Sequence, residues 1–300
     1  MERRRFIKNT ALTLGALAFL SKNTLGAFLA DPAYKIKMLT DKVGIFIEKG
    51  GTILFMLNKK GIVVIDAQFP NTAQHCIDEI KKKTDKPFEL LINTHHHADH
   101  TAGNIAFKGI VTNIVAHTNS LKNQKENAVK SKKEDAQLYP TITFDNTWSK
   151  KFKKEKISLY YFGKGHTNGD IFVHLEKENI VHVGDLVFNR RYPYIDKNAG
   201  ANISEWINIL TKATIKFNDK TTYVCGHAGD GYDVIITKSD IIAFKNYLQN
   251  LLNFTKEKID EGISKEDFMK TTSIPNAAEW KGDGISRSLE AAWIELKDGK

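Results

Sequence analysis

The chain has 300 residues, 41% of them hydrophobic and 26% charged, with 44 basic against 35 acidic side chains and a formal net charge of +9. Such a composition excludes a disordered chain or a coiled coil, and the length allows one large core or two modest domains. The first thirty residues carry five basic side chains and one acidic, so the remainder is left at only +5, with no basic stripe interleaved with aromatics, and nucleic acid is not an expected partner.

Residues 1–30 read as an export signal. Arg3-Arg4-Arg5-Phe6-Ile7-Lys8 precedes an apolar run over 11–20, and Ser21-Lys22-Asn23 stops that run well short of the ~20 residues a membrane span needs. The arrangement resembles the twin-arginine type, although Glu2 stands where Ser or Thr is usual. The expected product is periplasmic or otherwise exported, with no stable membrane anchor after cleavage. Cys76 and Cys225 make no disulfide framework and are expected as buried thiols.

From residue 34, short apolar runs at 36–38, 43–47, 52–57 and 62–65 are separated by Lys49-Gly50-Gly51 and Asn58-Lys59-Lys60-Gly61, which predicts an antiparallel meander ending on Asp66. Asn71 or Thr72 is placed to cap a helix that buries Ala73, Cys76, Ile77 and Ile80. A strand over 88–93 then opens into Thr94-His95-His96-His97-Ala98-Asp99-His100. Side chains two apart in extended backbone point the same way, so His95 and His97 are expected on one cation, while Asp99 and His100 face a second as the chain turns. A helix through His96 and His100 conflicts with the strand-like run before it and with Gly103 soon after. The bland alternative is a run of surface imidazoles.

Further strands are predicted at 110–116, 142–144, 157–162, 171–175, 180–183 and 222–225, with a charged helix over 121–137 and another capped by Ser204 that buries Trp206, Ile207, Leu210 and Ala213. Residues 237–300 are expected to be largely helical, with Ile241, Phe244, Leu248, Leu251 and Leu252 as a core stripe. Two halves that each mix sheet and helix predict one domain over 31–300, a sandwich with helices on both outer faces. His166, Asp185 and His227 each stand beside glycine at a predicted strand end opening into a loop. Alone each is a weak signal, but four such loops can converge on one crevice. His75, His117, His174 and His182 are read as structural, and His96 as facing solvent or supporting a ligand.

In order, Asp66, then His95, His97, Asp99 and His100 as HxHxDH, then His166, Asp185 and His227, the chain resembles the metallo-β-lactamase superfamily over most of its length. The resemblance implies a four-layer αββα sandwich of the α+β class, with a C-terminal helical extension and a dinuclear, usually zinc, centre at one edge. His95, His97 and His166 would hold the first ion, Asp99, His100 and His227 the second, and Asp185 would bridge them, with Asp66 behind the ligands. It implies a hydrolase in which hydroxide between the two ions attacks the carbonyl of a small-molecule lactam, lactone, ester or thioester, Asp99 orienting it and accepting its proton. Asp185 replaces the Cys of common zinc β-lactamases, and Phe188 stands where many carry a Lys that grips the substrate. Arg190 or Arg191 is then expected to supply that charge, and Tyr192 and Tyr194 to polarise a leaving oxygen. The ligand set is closer to that of glyoxalase II and the acyl-homoserine lactonases. Alternatives on the same fold are a mononuclear iron oxidoreductase of the persulfide dioxygenase type, a phosphodiesterase or nuclease, and a binding protein without catalysis.

Overall fold

Glycine connectors and alternating apolar residues shape the first half of the chain, for which a computed structural model describes residues 34–298 in all; the export signal read over 1–30 lies outside them. Strands β1 (Lys35–Met38), β2 (Val43–Ile47), β3 (Ile53–Asn58) and β4 (Gly61–Ile65) come first, with β2, β3 and β4 antiparallel. Helix α1 (Pro70–Lys81) buries Ala73, Cys76, Ile77 and Ile80, its start fixed by Pro70 and by Thr72 Oγ1, which accepts from Phe69 N at 3.1 Å. It crosses to β5 (Phe88–Ile92), parallel to β4. After helix α2 (Ala98–Thr101) and a 3₁₀ turn (Ala102–Phe107) come β6 (Ile114–His117), helix α3 (Thr118–Ser131) and β7 (Ile142–Phe144), which complete a seven-stranded sheet in the order β1 to β7.

The second sheet has six strands: β8 (Thr147–Phe152), β9 (Glu155–Tyr160), β10 (Phe172–Leu175), β11 (Ile180–Asn189), β12 (Thr222–Ala228) and β13 (Ile235–Ile236), in consecutive order from one edge to the other. Helix α4 (Ile203–Lys216) is the crossover that makes β11 and β12 parallel. Helices α5 (Lys238–Asp260), α6 (Lys265–Phe268) and α7 (Ile285–Asp298) follow, α5 packing against both α4 and α7. One apolar core joins inward residues of both sheets, such as Val43, Leu54, Val63, Leu159, Val173 and Val183, to Trp206, Phe244 and Leu248 of the helices. The layers are those of an αββα sandwich. Cys76 and Cys225 are buried and unbridged, and burial pushes both thiols well above their ordinary range.

Several sequence expectations are corrected. Helix α1 has Phe69 as its N-cap, not Asn71 or Thr72, because Pro70 already opens the helix. The cap of α4 is Asn202, whose Oδ1 accepts from Glu205 N at 2.7 Å, while Ser204 Oγ donates to Glu295 at 3.0 Å. The helix placed at 121–137 starts earlier and ends at Ser131, because Lys132 adopts a left-handed φ of 53°. Strand β8 was not expected: it is an exposed edge with only Phe152 buried, so it has no apolar run to betray it. Among the described residues no helix is long and apolar enough to cross a membrane.

Candidate metal centre

The histidine loop is held at both ends. Asn93 and Asn104 exchange side-chain amide bonds of 2.9 and 2.8 Å across its base. His97 stays extended (φ −63°, ψ 148°), after which the chain turns into α2, with Thr101 Oγ1 donating to His97 O at 3.0 Å. The strand expected to carry His95 ends at Ile92, so a bend over 94–96 carries His95, extended backbone carries His97, and one helical turn carries Asp99 and His100. No helix runs through His96 and His100, as the sequence predicted, because the turn starts only at Ala98; Gly103 lets the loop close on residue 67, where a Cβ would lie 1.9 Å from Ala67 O.

Two groups of ligand atoms result. In the first, His97 Nδ1 lies 3.1 Å from His95 Nε2 and 2.8 Å from His166 Nε2. In the second, Asp99 Oδ2 lies 3.0 Å from His227 Nε2 and 3.7 Å from His100 Nε2. Asp185 stands between them: Oδ2 is 3.5 Å from both His166 Nε2 and His227 Nε2, and Oδ1 is 3.1 Å from His100 Nε2. All seven sequence-predicted ligands thus meet in one place, and each group is of a size to hold a metal ion.

The remaining ring nitrogens show which tautomers the protein imposes. His95 Nδ1 faces Thr94 Oγ1 (3.1 Å), His97 Nε2 faces Asp196 Oδ2 (2.9 Å), His166 Nδ1 faces Tyr194 O (2.5 Å) and His100 Nδ1 faces Asp66 Oδ2 (2.8 Å). With its outer nitrogen donating to that oxygen, each of His95, His97 and His166 turns a lone pair inward. Three lone pairs converging within about 3 Å repel unless a cation lies among them. Two buried atoms, His100 Nε2 and Asp185 Oδ1, also have no hydrogen-bond partner. The donor set fits a metal pair.

Electrostatics agree. Burial, with the charges of His100 and His97, holds His95 well below its ordinary pKa, and burial with His97 holds His166 at about 3, so both rings are neutral. Burial would raise Asp99, but the neighbouring His100 charge and the His227 hydrogen bond outweigh it and bring it to about 2; His227 and His100 outweigh burial for Asp185 in the same way. For His100 burial is outweighed by Asp185, Asp99 and Asp66, which keep a proton on the ring that a cation would displace.

Glycines make room for this. A Cβ on Gly51 would lie 2.1 Å from His100 Cε1, and one on Gly226 would lie 2.1 Å from Asp185 Oδ1. Asp185 and His227 do not open loops, as the sequence suggested, but lie within β11 and β12. Pairing of these strands shifts register on either side of Gly184, whose φ is +50°, and that irregularity turns Asp185 into the crevice. Asp66, fully buried, accepts from Thr94 N (2.8 Å), Thr94 Oγ1 (2.7 Å) and His100 Nδ1.

A cleft of about 340 Å³ opens over the centre, lined by His97, Asp99, Asp185 and His227 and walled by Phe188, Arg191, Tyr192, Tyr194 and Arg287. Phe188 stacks on the His227 ring at 5.8 Å. Arg190 is corrected: it turns away to Asp240 (3.1 Å) and Glu279 (3.3 Å) and lies over the Trp280 ring. His96 is buried, 3.8 Å from Asp196 Oδ2, and does not face solvent. His75, His117, His174 and His182 join neither group. Sequence reasoning missed Asp196, a lone acid 99 positions from its partner His97, and Arg287, which reads as a solvated helix face. A larger groove of about 570 Å³, rimmed by Lys59, Lys86, Lys153 and Lys177, contains none of these ligands.

The family model of the metallo-beta-lactamase superfamily matches residues 48–227. Among curated relatives, metallo-beta-lactamase type 2 of Elizabethkingia meningoseptica is 27% identical over 221 residues, spanning 71% of this chain and 85% of its own. Metallo-beta-lactamase IND-1 of Chryseobacterium indologenes is 26% identical over 207 residues, 67% and 82% of the two chains. Of solved structures, a metallo-beta-lactamase from Pontibacter korlensis superposes with a TM-score of 0.62 at 20% identity, covering 72% of this chain and 99% of that one. The sec-alkylsulfatase Pisa1 from Pseudomonas sp. gives 0.70 at 12% identity, covering 88% and 50%, a likeness of fold alone. With more than half of its length matched by the family model, the chain belongs to the metallo-beta-lactamase superfamily and is a metal-dependent hydrolase.

Proposed function

We propose that the centre holds two zinc ions and that the protein hydrolyses a small-molecule lactam, lactone, ester or thioester. The observation that carries this reading is Asp185, whose carboxylate faces both groups of ligand atoms at once. A zinc pair supplies a water of pKa about 7 and polarises a carbonyl. His95, His97 and His166 would hold the first ion, Asp99, His100 and His227 the second, and Asp185 both. Five imidazoles and two carboxylates suit zinc, and the nearby thiol takes no part, since Cys225 Sγ donates to His227 O at 3.3 Å. Asp99 borders the cleft as an ionised carboxylate and is the group placed to orient water and take its proton. Phe188, Tyr192 and Tyr194 form walls that exclude bulk water.

The names of the relatives support a lactam, whereas Asp185 in place of Cys, with Phe188 in place of Lys, favours an ester, thioester or lactone. A single-iron reading would use only the first group and leave the complete second group without purpose. Metal analysis of protein purified without chelator should give close to two zinc per chain. In the same preparation a panel of a β-lactam, a lactone, a thioester and a phosphodiester should show turnover of at least one acyl substrate, lost in His97→Ala. One iron per chain with oxygen-dependent turnover, or cleavage of the phosphodiester alone, would overturn the reading. The same proposal places the mature domain, 31–300, outside the cytoplasm after loss of residues 1–30.

Asp196 is predicted to position His97. Its Oδ1 accepts from Ala199 N at 3.1 Å and its N–H donates to His166 O at 3.2 Å, so the carboxylate is aimed at His97 Nε2 by a braced loop. Asp196→Ala should weaken metal binding at the three-histidine site by roughly 10–100-fold, with the second site less affected, as read by cobalt titration followed in the visible spectrum. Equal weakening of both sites would assign Asp196 to general stability instead.

A further inference from the structure

The groove of about 570 Å³ lies at the end of the sandwich away from the metal centre. Lys59 stands on the turn after β3, Lys86 just before β5, Lys153 and Lys154 on the turn from β8 to β9, and Lys177 on the turn before β11. The same strands lead to the ligands at their other ends, β5 to the histidine loop and β11 to Asp185. Backbone contacts fix the shape of the groove. Asn58 Nδ2 donates to Phe152 O at 3.3 Å, tying a hairpin of the first sheet to one of the second. The buried Glu155 fastens a third turn: Oε1 accepts from Lys156 N (2.8 Å) and Lys177 N (2.9 Å), and Oε2 from Glu178 N (3.3 Å).

Charge and apolar surface are combined here. Six lysines line the groove against two acids, Glu155, already occupied by three N–H groups, and Glu178. Lys42 faces Glu178 at 3.8 Å and Lys86 faces Asp85 at 3.5 Å, whereas among the described residues Lys59, Lys153, Lys154 and Lys177 have no ion pair. All six are exposed. Ammonium groups gathered on one rim repel one another, and an anion between them relieves that repulsion. The wall below the rim is mostly apolar, with Met56 and Leu57 of β3 contributing to it.

We propose that this groove is a second ligand site, independent of the metal centre, which binds one molecule of an anionic amphiphile, its acidic head among the lysines and its apolar chain along Met56 and Leu57. Lysine is a point charge without the fixed fork of arginine, so the head group is defined by its charge and not by a planar shape. A concavity of this size receives a single small molecule. A flat anionic bilayer would engage the lysines but leave the recessed apolar wall empty.

The probe is 1-octanesulfonate, a poor zinc ligand without an acyl carbon, titrated calorimetrically into the metal-loaded protein below its micelle concentration. Methanesulfonate keeps the charge without the chain, and methyl octyl sulfone keeps the chain without the charge. Octanesulfonate should bind at least about tenfold more tightly than either; burial of two methylene groups already supplies that factor for the chain, and added salt should reduce the factor for the charge. In Lys59→Gln/Lys153→Gln/Lys154→Gln/Lys177→Gln, all at exposed positions, its affinity should fall to about that of the sulfone, with zinc content and turnover of the panel substrates unchanged. Absence of octanesulfonate binding, equal binding of either control, or binding that survives the fourfold variant, as it would at the metal centre, overturns the proposal. Sedimentation with phosphatidylglycerol vesicles but no binding of monomeric octanesulfonate overturns it in favour of a membrane surface.

Discussion

Asp185→Asn is expected, on the two-zinc proposal, to cut the zinc content from two per chain to one or fewer and to lower kcat/KM by about 10³-fold, equivalent to about 4 kcal/mol. The amide keeps the shape of the side chain but presents one weakly donating oxygen where the carboxylate presents two, and it removes a negative charge from between two groups of ligands. His100 Nε2, 3.1 Å from Oδ1, and His166 and His227, each 3.5 Å from Oδ2, all lose the same partner. Metal analysis after desalting, with initial rates on whichever panel substrate is turned over, measures both effects. Retention of two zinc ions at wild-type activity would show that Asp185 holds neither.

Asp66→Ala is expected to be the most destabilising change near the centre, lowering stability by about 3–5 kcal/mol. Three donors, Thr94 N, Thr94 Oγ1 and His100 Nδ1, end on this one carboxylate in a fully buried setting, and alanine leaves all three without an acceptor. The backbone adds to the cost, since residue 66 has a φ of 63°, a region where Asp and Asn are tolerated better than Ala. For a domain of this size the loss corresponds to a drop in Tm of roughly 6–15 °C, read by calorimetry in the presence of chelator so that metal does not contribute. Asp66→Asn keeps one acceptor and the permissive backbone, and should recover part of the loss. A shift of less than about 2 °C for the alanine variant would mean that the network under His100 is not what holds the loop.

The candidate ligands were legible because their chemistry is local. In the HxHxDH stretch four candidate ligands, His95, His97, Asp99 and His100, stand within six consecutive residues. The strands of the first sheet were legible for the same reason, since runs such as 43–47 and 62–65 are short and apolar and give way to the turn formers Lys49-Gly50-Gly51 and to Asp66. Where the reading failed, the deciding contact was distant. Gly184 looked like the end of a strand; β12, arriving 38 residues later, pairs across it and keeps β11 going through a register shift. Arg190 and Arg191 are indistinguishable neighbours until Asp240 and Glu279 claim the first. Asp196 and Arg287 belong to no local pattern, because each acts on a residue about a hundred positions away, His97 or Tyr194.

By itself, then, the amino-acid order determined which side chains are available to hold metal, the sequence in which they occur, and the alternating elements that set them at one edge of a sandwich. Only the tertiary structure decided that Asp185 faces both groups of ligands, that Asp66 fastens the loop beneath them, and that the last helix brings an arginine to the mouth of the cleft. The division follows from range: the chemistry of a side chain and its place in a short motif are properties of neighbouring residues, whereas a carboxylate facing two groups of donors, a buried acceptor and a guanidinium over an aromatic ring exist only once segments far apart in the chain have packed together.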